Sequence, residues 1–555
     1  MLAPKWYSSW STSSYAIAAI IVLPLLCLVF ESLVPDQEVF AHLLDTVLFD
    51  YIINTALLIA AVIIITLLIG VPLAYLLANY SFPGAKFFNW GLLLPLAMPS
   101  YILAYIYTDW LEYAGPVQRT LREVFEWQSK SDYYFFDIRS LMGAAFVLSL
   151  VLFPYVFLIV KTAFKEQSMS LQHAGKMLGK TQWQIFTQIS LPLTRPAIAI
   201  AASLVAMETL ADFAAVSYFS VNTLTTAVYD TWLGYGSLTA AAKISVIMLL
   251  MVFLFISLER MSRSKQRTYA NNSKSDSLIC LQGKSAWLAT TACFSVLFVA
   301  FILPLLYLAD MAWQYRSQAF NDKFIEFGLN SLTLASSVAF ICLLLAMVIV
   351  VFKRFSLQAP KQWIANLPLK LASSGYAMPG TVLAIAILIP LTVLDHGIND
   401  YLISIEKAPI GLIFTGTIFA IIFAYVIRFM AVAIGALESS YERILPSIDN
   451  AGTMLGKHRF SVFWQIHLPL IRRGAFTAML LVFIESMKEL PAALLLRPFN
   501  YETLATYVFQ YVSDEQLELA SMAAITIVVA GLIPVILLNR SMEANTQSNQ
   551  STATN

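Results

Sequence analysis

Four carboxylates stand where carboxylates are costly. Glu208 and Asp212 lie four residues apart in one apolar run, and Glu485 and Glu489 lie 277 positions later in another, with Lys488 beside them. Four-residue spacing puts each pair on one face of a helix. An ionisable group inside a membrane span usually faces the protein interior and marks a function. Such a set could flank a central pathway and offer hard oxygen ligands or a negative field to a cation. The other reading is a hydrogen-bond or ion-pair network, Lys488 with Glu485 or Glu489, that only fixes packing between the two halves of the chain.

Other chemistry is scarce. Ala174–Thr181, AGKMLGKT, nearly fits the phosphate-binding pattern G-x-x-x-x-G-K-[ST]. That loop needs glycines after a strand so that backbone N–H groups can curl round phosphates. Here Ala replaces the first Gly, no strand precedes, and the same stretch further on carries His458 in place of Ser or Thr. The chain has no visible ATP site and no cofactor of its own. The cysteines (Cys27, Cys280, Cys293, Cys342) are scattered, and the histidines show no paired ligand spacing, so no metal site is assigned. No nucleophile–base set appears, and an enzyme is not expected.

The elements that position these residues are set by repetition. Ala174–Arg195 returns at Ala451–Arg472, displaced by 277 residues without a gap, with thirteen of 22 positions identical. At 59% hydrophobic and 12% charged residues, against about 25% charged in soluble domains, this is a membrane chain. Runs near 15–34, 50–79, 87–108, 140–161, 196–218, 239–258, 286–309, 327–352, 371–394, 408–434, 474–496 and 518–539 approach the roughly 20 residues needed to span. Twelve spans, six per copy, make the repeat parallel. The division is 1–260 for the first six-helix repeat, 261–285 for a cytoplasmic linker, 286–540 for the second repeat and 541–555 for a disordered tail.

Lys and Arg mark the inner side. The N-terminus, 80–86, 161–195, 259–285, 353–370, 428–473 and the tail hold 24 of the 34 Lys and Arg and seven acidic residues. The intervening segments hold eight basic and 21 acidic residues. Both termini and both repeated stretches are therefore expected to be cytoplasmic, and membrane lipid to surround the rest. Nothing points to nucleic acid. Counting inward at about 1.5 Å per residue, Glu208 falls near mid-bilayer and Asp212 nearer the outside. Lys243, near an outer helix end, is expected to snorkel. Ala97-Met98-Pro99 and Ala377-Met378-Pro379 place a proline kink in the third span of each copy.

In the repeated stretch, helical spacing runs from Lys161 to Leu178, and Gly179 stops it as a C-cap glycine would. A short amphipathic piece, Gln182–Ser190, follows, with Trp183, Phe186 and Ile189 on its apolar stripe. Leu191-Pro192 then turns the chain and Arg195-Pro196 opens the next span. The second copy repeats this with Gly456, Phe460, Phe463, Ile466, Leu468-Pro469 and Arg472. The small residues Ala174-Gly175 and Ala451-Gly452 would let a partner approach the backbone, and the stripe could enter a groove. A membrane-surface helix without a partner is the alternative.

Gly179 with Leu191-Pro192, and Gly456 with Leu468-Pro469, resemble the cytoplasmic E-A-A…G…I-x-L-P motif of ABC importer permeases. The motif's alanines fall on Ala174 and Gly175, and on Ala451 and Gly452. Its glutamate would fall on His173 and Asn450, a departure in both copies. The stretches 210–232 (LADFAAVSYFSVNTLTTAVYDTW) and 488–515 are similar to the fused two-copy ferric-iron permeases.

The resemblance implies an all-α polytopic membrane protein of the type I importer permease (MetI-like) fold, in a bacterial inner membrane. It also implies two copies of a partner ATPase seated on the coupling helices, and an extracytoplasmic binding protein delivering ferric iron. The rivals are a permease for thiamine, a phosphonate or a polyamine, and a twelve-helix transporter driven by an ion gradient. The gradient-driven rival predicts helices broken at mid-membrane and no use for the repeated cytoplasmic stretch.

Overall fold

A computed structural model describes residues 5–36, 38–167, 174–264, 278–356, 362–442, 444–533 and 536. His173, most of the expected linker and the expected tail lie outside the described residues. Among the described residues, nine helices are long and apolar enough to cross a membrane. Two further pairs qualify if each is one bent span, Ala85–Ala97 with Ser100–Phe125 (90°) and Gln182–Leu193 with Arg195–Ala211 (68°). A shorter apolar helix, Leu517–Ile533, completes a counterpart for each of the twelve expected runs.

The bends follow from particular prolines. Pro24, Pro72, Pro154 and Pro390 lie inside uninterrupted helices. At the Met-Pro pairs the helix is broken outright, where the sequence suggested a kink. A proline disfavours helical geometry in the residue before it. Met98 (φ −91°, ψ 117°) and Pro99 (−60°, 140°) are both extended, as are Met378 (−85°, 133°) and Pro379 (−55°, 142°). Each break follows a short 3₁₀ turn, Leu94–Ala97 or Ser374–Ala377.

Leu-Pro acts differently from the expected turn. Leu191-Pro192, Leu303-Pro304 and Leu468-Pro469 each follow a five-residue π-helical segment: Phe186–Ser190, Phe298–Ile302 and Phe463–His467. Proline has no N–H, and its ring crowds the carbonyl four residues back. The preceding turn opens, and the leucine N–H reaches five residues back, to Phe186, Phe298 or Phe463. The chain bends at Thr194 in the first copy only, because Pro196 removes a second donor there. The matching position in the second copy is Arg473, and the helix Phe460–Lys488 runs on.

The chain forms two compact units. One contains Met1–Leu43, Val228–Ile247 and Asn321–Tyr507; the other contains Leu44–Ala227, Met248–Phe320 and Val508–Asn555. In the first unit, the helix Lys5–Ser32 packs on Asp322–Phe355, Gln362–Ala372 and Gly380–Ser404. In the second, the helices from Lys284 to Gln314 lie against residues 83–109. There Thr290 donates to the Pro83 carbonyl (2.8 Å), Tyr107 donates to Val299 (2.5 Å), and Tyr307 bonds Asp109. The opening helix of each sequence repeat thus packs among helices of the other repeat. Tyr80-Ser81 and Ile279-Cys280 form a two-residue parallel ladder. Lys243 lies with its ammonium 5.1 Å from the Phe40 ring centroid.

One close approach requires glycine. A Cβ on Gly375 would lie 2.3 Å from the Ile427 carbonyl oxygen, whereas one on Gly328 would meet nothing within 4 Å. Gly375→Ala is expected to cost about 1–3 kcal/mol through overpacking. A dye-based melting assay in detergent should then show a lower transition for Gly375→Ala and no loss for Gly328→Ala.

Candidate functional site

The repeated stretch forms a helical hairpin in each copy. Residues 174–177 are helical, and so is Pro446–Met454. Gly179 ends the first with φ +75° and Gly456 ends the second with φ +72°. The Lys180 amide bonds the Gly175 carbonyl (3.0 Å), the Gly179 amide bonds Lys176 (2.9 Å), and the Lys457 amide bonds Gly452 (3.1 Å). The Lys180–Gly175 and Lys457–Gly452 bonds are six-to-one closures, which need a left-handed residue that glycine supplies without strain. A Cβ on either glycine would meet nothing within 4 Å, so backbone conformation alone demands it.

The same closures push two large apolar side chains outward in each copy. Met177 and Leu178 are 90% and 78% exposed, and Met454 and Leu455 are 90% and 79% exposed. Lys180 caps the return segment through Gln188, and Lys457 does so through Gln465.

The small residues divide into an exposed and a buried pair. Ala174 and Ala451 are exposed, but Gly175 and Gly452 face inward. A Cβ on Gly175 would lie 3.1 Å from Ile185 and Ile189, and one on Gly452 would lie 2.8 Å from Val462. These glycines let the two arms of each hairpin close on one another. Ile185 and Val462, buried at the centre of the hairpins, lie off the stripe read from the sequence. Trp183 is exposed, while Phe186 lies 4.6 Å from the Tyr75 ring. The side chain of Asn450, like the whole of His173, lies outside the described residues.

Two of the four carboxylates sit at helix breaks. The helices Arg195–Ala211 and Leu468–Lys488 end in extended residues, Asp212 (φ −72°, ψ 125°) and Glu489 (−67°, 122°). Asp212 accepts from Ser100 Oγ (2.5 Å) and from the Ala215 amide (2.9 Å), and its carbonyl accepts from Thr225 Oγ1 (3.0 Å). Glu489 pairs with Arg428 Nε (3.1 Å) and accepts from the Ala492 amide (3.4 Å), and its carbonyl accepts from Tyr425 OH (2.9 Å). Arg428 Nη1 also reaches the Met378 carbonyl (3.3 Å). Ser100 and Gly380 both follow the Met-Pro pair. A Cβ on Gly380 would lie 2.7 Å from Glu489 Oε1, so the larger acid needs the smaller neighbour.

Each acid therefore joins the break in its repeat's third span to the break after the fifth. The bonds hold each acid within its own repeat, Glu489 to Arg428 and Asp212 to Ser100, where the sequence suggested Lys488 as the partner of Glu485 or Glu489. Arg428, grouped by sequence with the cytoplasmic cations, lies within the helix Ile418–Tyr441. Its signal was a lone cation in an apolar run. Glu208 and Glu485 lie one turn earlier and are half-buried. Among the described residues, no group of three or more His, Cys, Asp or Glu could hold a metal ion.

The first repeat has Val151 where the second has Arg428. Arg428→Met would leave Glu489 charged and buried, a loss of about 3–5 kcal/mol. Adding Glu489→Gln should recover part of it. Thermal unfolding of the purified single and double variants checks this order.

Residues 70–267 and 356–547 match the family of binding-protein-dependent transport system inner membrane components, once in each repeat. An Fe(3+)-transport system permease protein of Haemophilus influenzae is 27% identical over 493 residues, covering 88% of this chain and 89% of its own. A molybdenum transport system permease protein of Escherichia coli is 29% identical over 213 residues, covering 37% of this chain and 90% of its own. A ferric transport system permease protein of Actinobacillus pleuropneumoniae is 22% identical over 468 residues, covering 80% and 64%. With its apolar helices and a family match in each copy of the repeat, the chain belongs to the binding-protein-dependent inner membrane components, as a multi-pass ABC importer permease.

Proposed function

We propose that this permease carries ferric iron inward, driven by two copies of a separate ATPase that dock on its two hairpins. An extracytoplasmic binding protein delivers the substrate to the outer loops, and both termini lie in the cytoplasm. The observation that carries the docking is the pair of matching tips, Met177-Leu178-Gly179 and Met454-Leu455-Gly456, with large apolar side chains in the open. Burying such a side chain stabilises a complex by about 1.5–3 kcal/mol. A groove on the ATPase that takes both residues of a tip gains enough to move with it. Closure of the ATPase dimer on ATP draws the tips together, and the repeats rock between outward and inward access.

Iron is favoured by the span of the likeness. Similarity to the Haemophilus ferric permease covers 88% of this chain, against 37% for the molybdenum permease. Glu208 and Glu485 would supply the negative field along the pathway, while Asp212 and Glu489 hold the helix breaks. An ion-gradient transporter draws some support from those breaks, yet gives the exposed tips no task.

Co-expression tests the docking. An ATPase should co-purify with the permease, and Gly179→Asp with Gly456→Asp should release it, since a side chain strains the positive-φ caps and brings a charge to the apolar tips. Reconstituted vesicles holding binding protein and ATPase should take up labelled ferric ion in preference to thiamine. Accumulation by the permease alone under an ion gradient would overturn the reading. Glu208→Gln with Glu485→Gln should lower uptake about tenfold or more, for a rate contribution above 1.4 kcal/mol, with assembly intact. Uptake at full rate would remove those residues from the pathway.

A further inference from the structure

The two hairpins are anchored by different physics. In the second repeat, Arg354 lies at the end of the helix Asp322–Phe355 and donates through Nε to Asp449 Oδ2 (2.8 Å) and through Nη2 to the Ile444 carbonyl (2.8 Å). It thereby grips the start of the hairpin's first arm at two points. The other Asp449 oxygen meets His467 Nε2 at 2.6 Å. A carboxylate facing a guanidinium is ionised and can only accept, so Nε2 carries the hydrogen.

His467 ends the π segment of the return arm and is fully buried. Its ring stacks on Phe355 (5.7 Å) and meets Tyr441 edge-on (5.4 Å), and Nδ1 has no hydrogen-bond partner among the described residues. Both arms are thus tied through one carboxylate to a membrane helix. Next to Arg354, Lys353 pairs with Glu438 of the helix Ile418–Tyr441.

The first repeat has none of these groups. Ser190 and Gln172 stand at the positions of His467 and Asp449, and Leu76-Leu77, near the end of the helix Leu48–Asn79, stand at those of Lys353-Arg354. Among the described residues, its hairpin rests on the Tyr75–Phe186 contact (4.6 Å), Tyr80 OH to Gln182 (3.4 Å) and Gln167 Nε2 to the Ser190 carbonyl (2.9 Å). Charge-assisted bonds are shorter and about twice as strong as neutral ones, and a partly buried network reinforces itself.

We propose that Arg354, Asp449 and His467 are positioning residues that make the second hairpin a rigid lever, so that the two hairpins pass motion to the membrane helices unequally. This rests on the reading of the hairpins as ATPase-docking levers.

Hydrogen–deuterium exchange of the full-length permease in nanodiscs tests the rigidity without any partner. Amides of 446–458 should exchange about tenfold or more slower than those of 174–181, the range that local opening covers. Asp449→Asn and His467→Ser should abolish the difference. Equal exchange in the two hairpins of the unaltered protein would overturn the proposal. Should those variants fail to assemble, His467→Gln, which keeps a donor for Asp449, should retain protection. Arg354→Lys, which reaches one acceptor of the two, should lose part of it; the reverse order would count against the network.

In the transporter assembled with its ATPase and binding protein, uptake per ATP hydrolysed should fall about fivefold or more in Asp449→Asn, a typical coupling loss. Ser190→Ala should lose less than half of it. Equal losses, or none, would overturn the proposal, and a purely structural role would lower uptake and hydrolysis in proportion. If no ATPase binds even the unaltered permease, the docking reading falls and the exchange difference is judged alone.

Discussion

Backbone groups released inside a membrane must find partners within the protein, because hydrocarbon offers none. That constraint organises both repeats. The Met-Pro pairs break the third span, and the fifth span stops at an acidic residue. One carboxylate in each repeat serves both breaks, Asp212 through Ser100 and Glu489 through Arg428 and the Met378 carbonyl. These bonds tie the helical segments on either side of the breaks to one another. The acids are thereby held by protein groups within an apolar chain.

Duplication supplied the same solution twice, and divergence then altered the means. The first repeat uses a hydroxyl where the second uses a guanidinium, and glycine replaces serine where glutamate replaces aspartate. The hairpins diverge in the same direction. Aromatic and neutral contacts support the first, and a buried histidine–aspartate–arginine set supports the second. Pro196 bends the chain after the first hairpin, and Arg473 at the matching position lets the second continue straight into its span. A single chain permits such differences, since the two halves never exchange places as identical subunits would.

The tips remain alike despite this. Both end in a left-handed glycine, both expose methionine and leucine, and both brace the return arm with a lysine–glutamine contact. What meets water is shared, and what anchors each tip to the membrane helices is not.

Sequence alone determined the class of protein, the twofold repetition, all twelve apolar runs and the two glycine-capped stretches. Each of these is local: run length, residue type and spacing carry it. It also singled out the four acids, because charge inside an apolar run is visible without a fold. Partners, by contrast, were decided by tertiary structure. Arg428 lies 61 positions from Glu489, and Arg354 lies 95 from Asp449; no periodicity relates them. Gly175 and Gly452 face inward because the return arm folds back against them, and the opening helix of each repeat packs among helices of the other. Contacts between residues distant in the chain depend on how helices pack, and side-chain spacing along one helix holds no record of that.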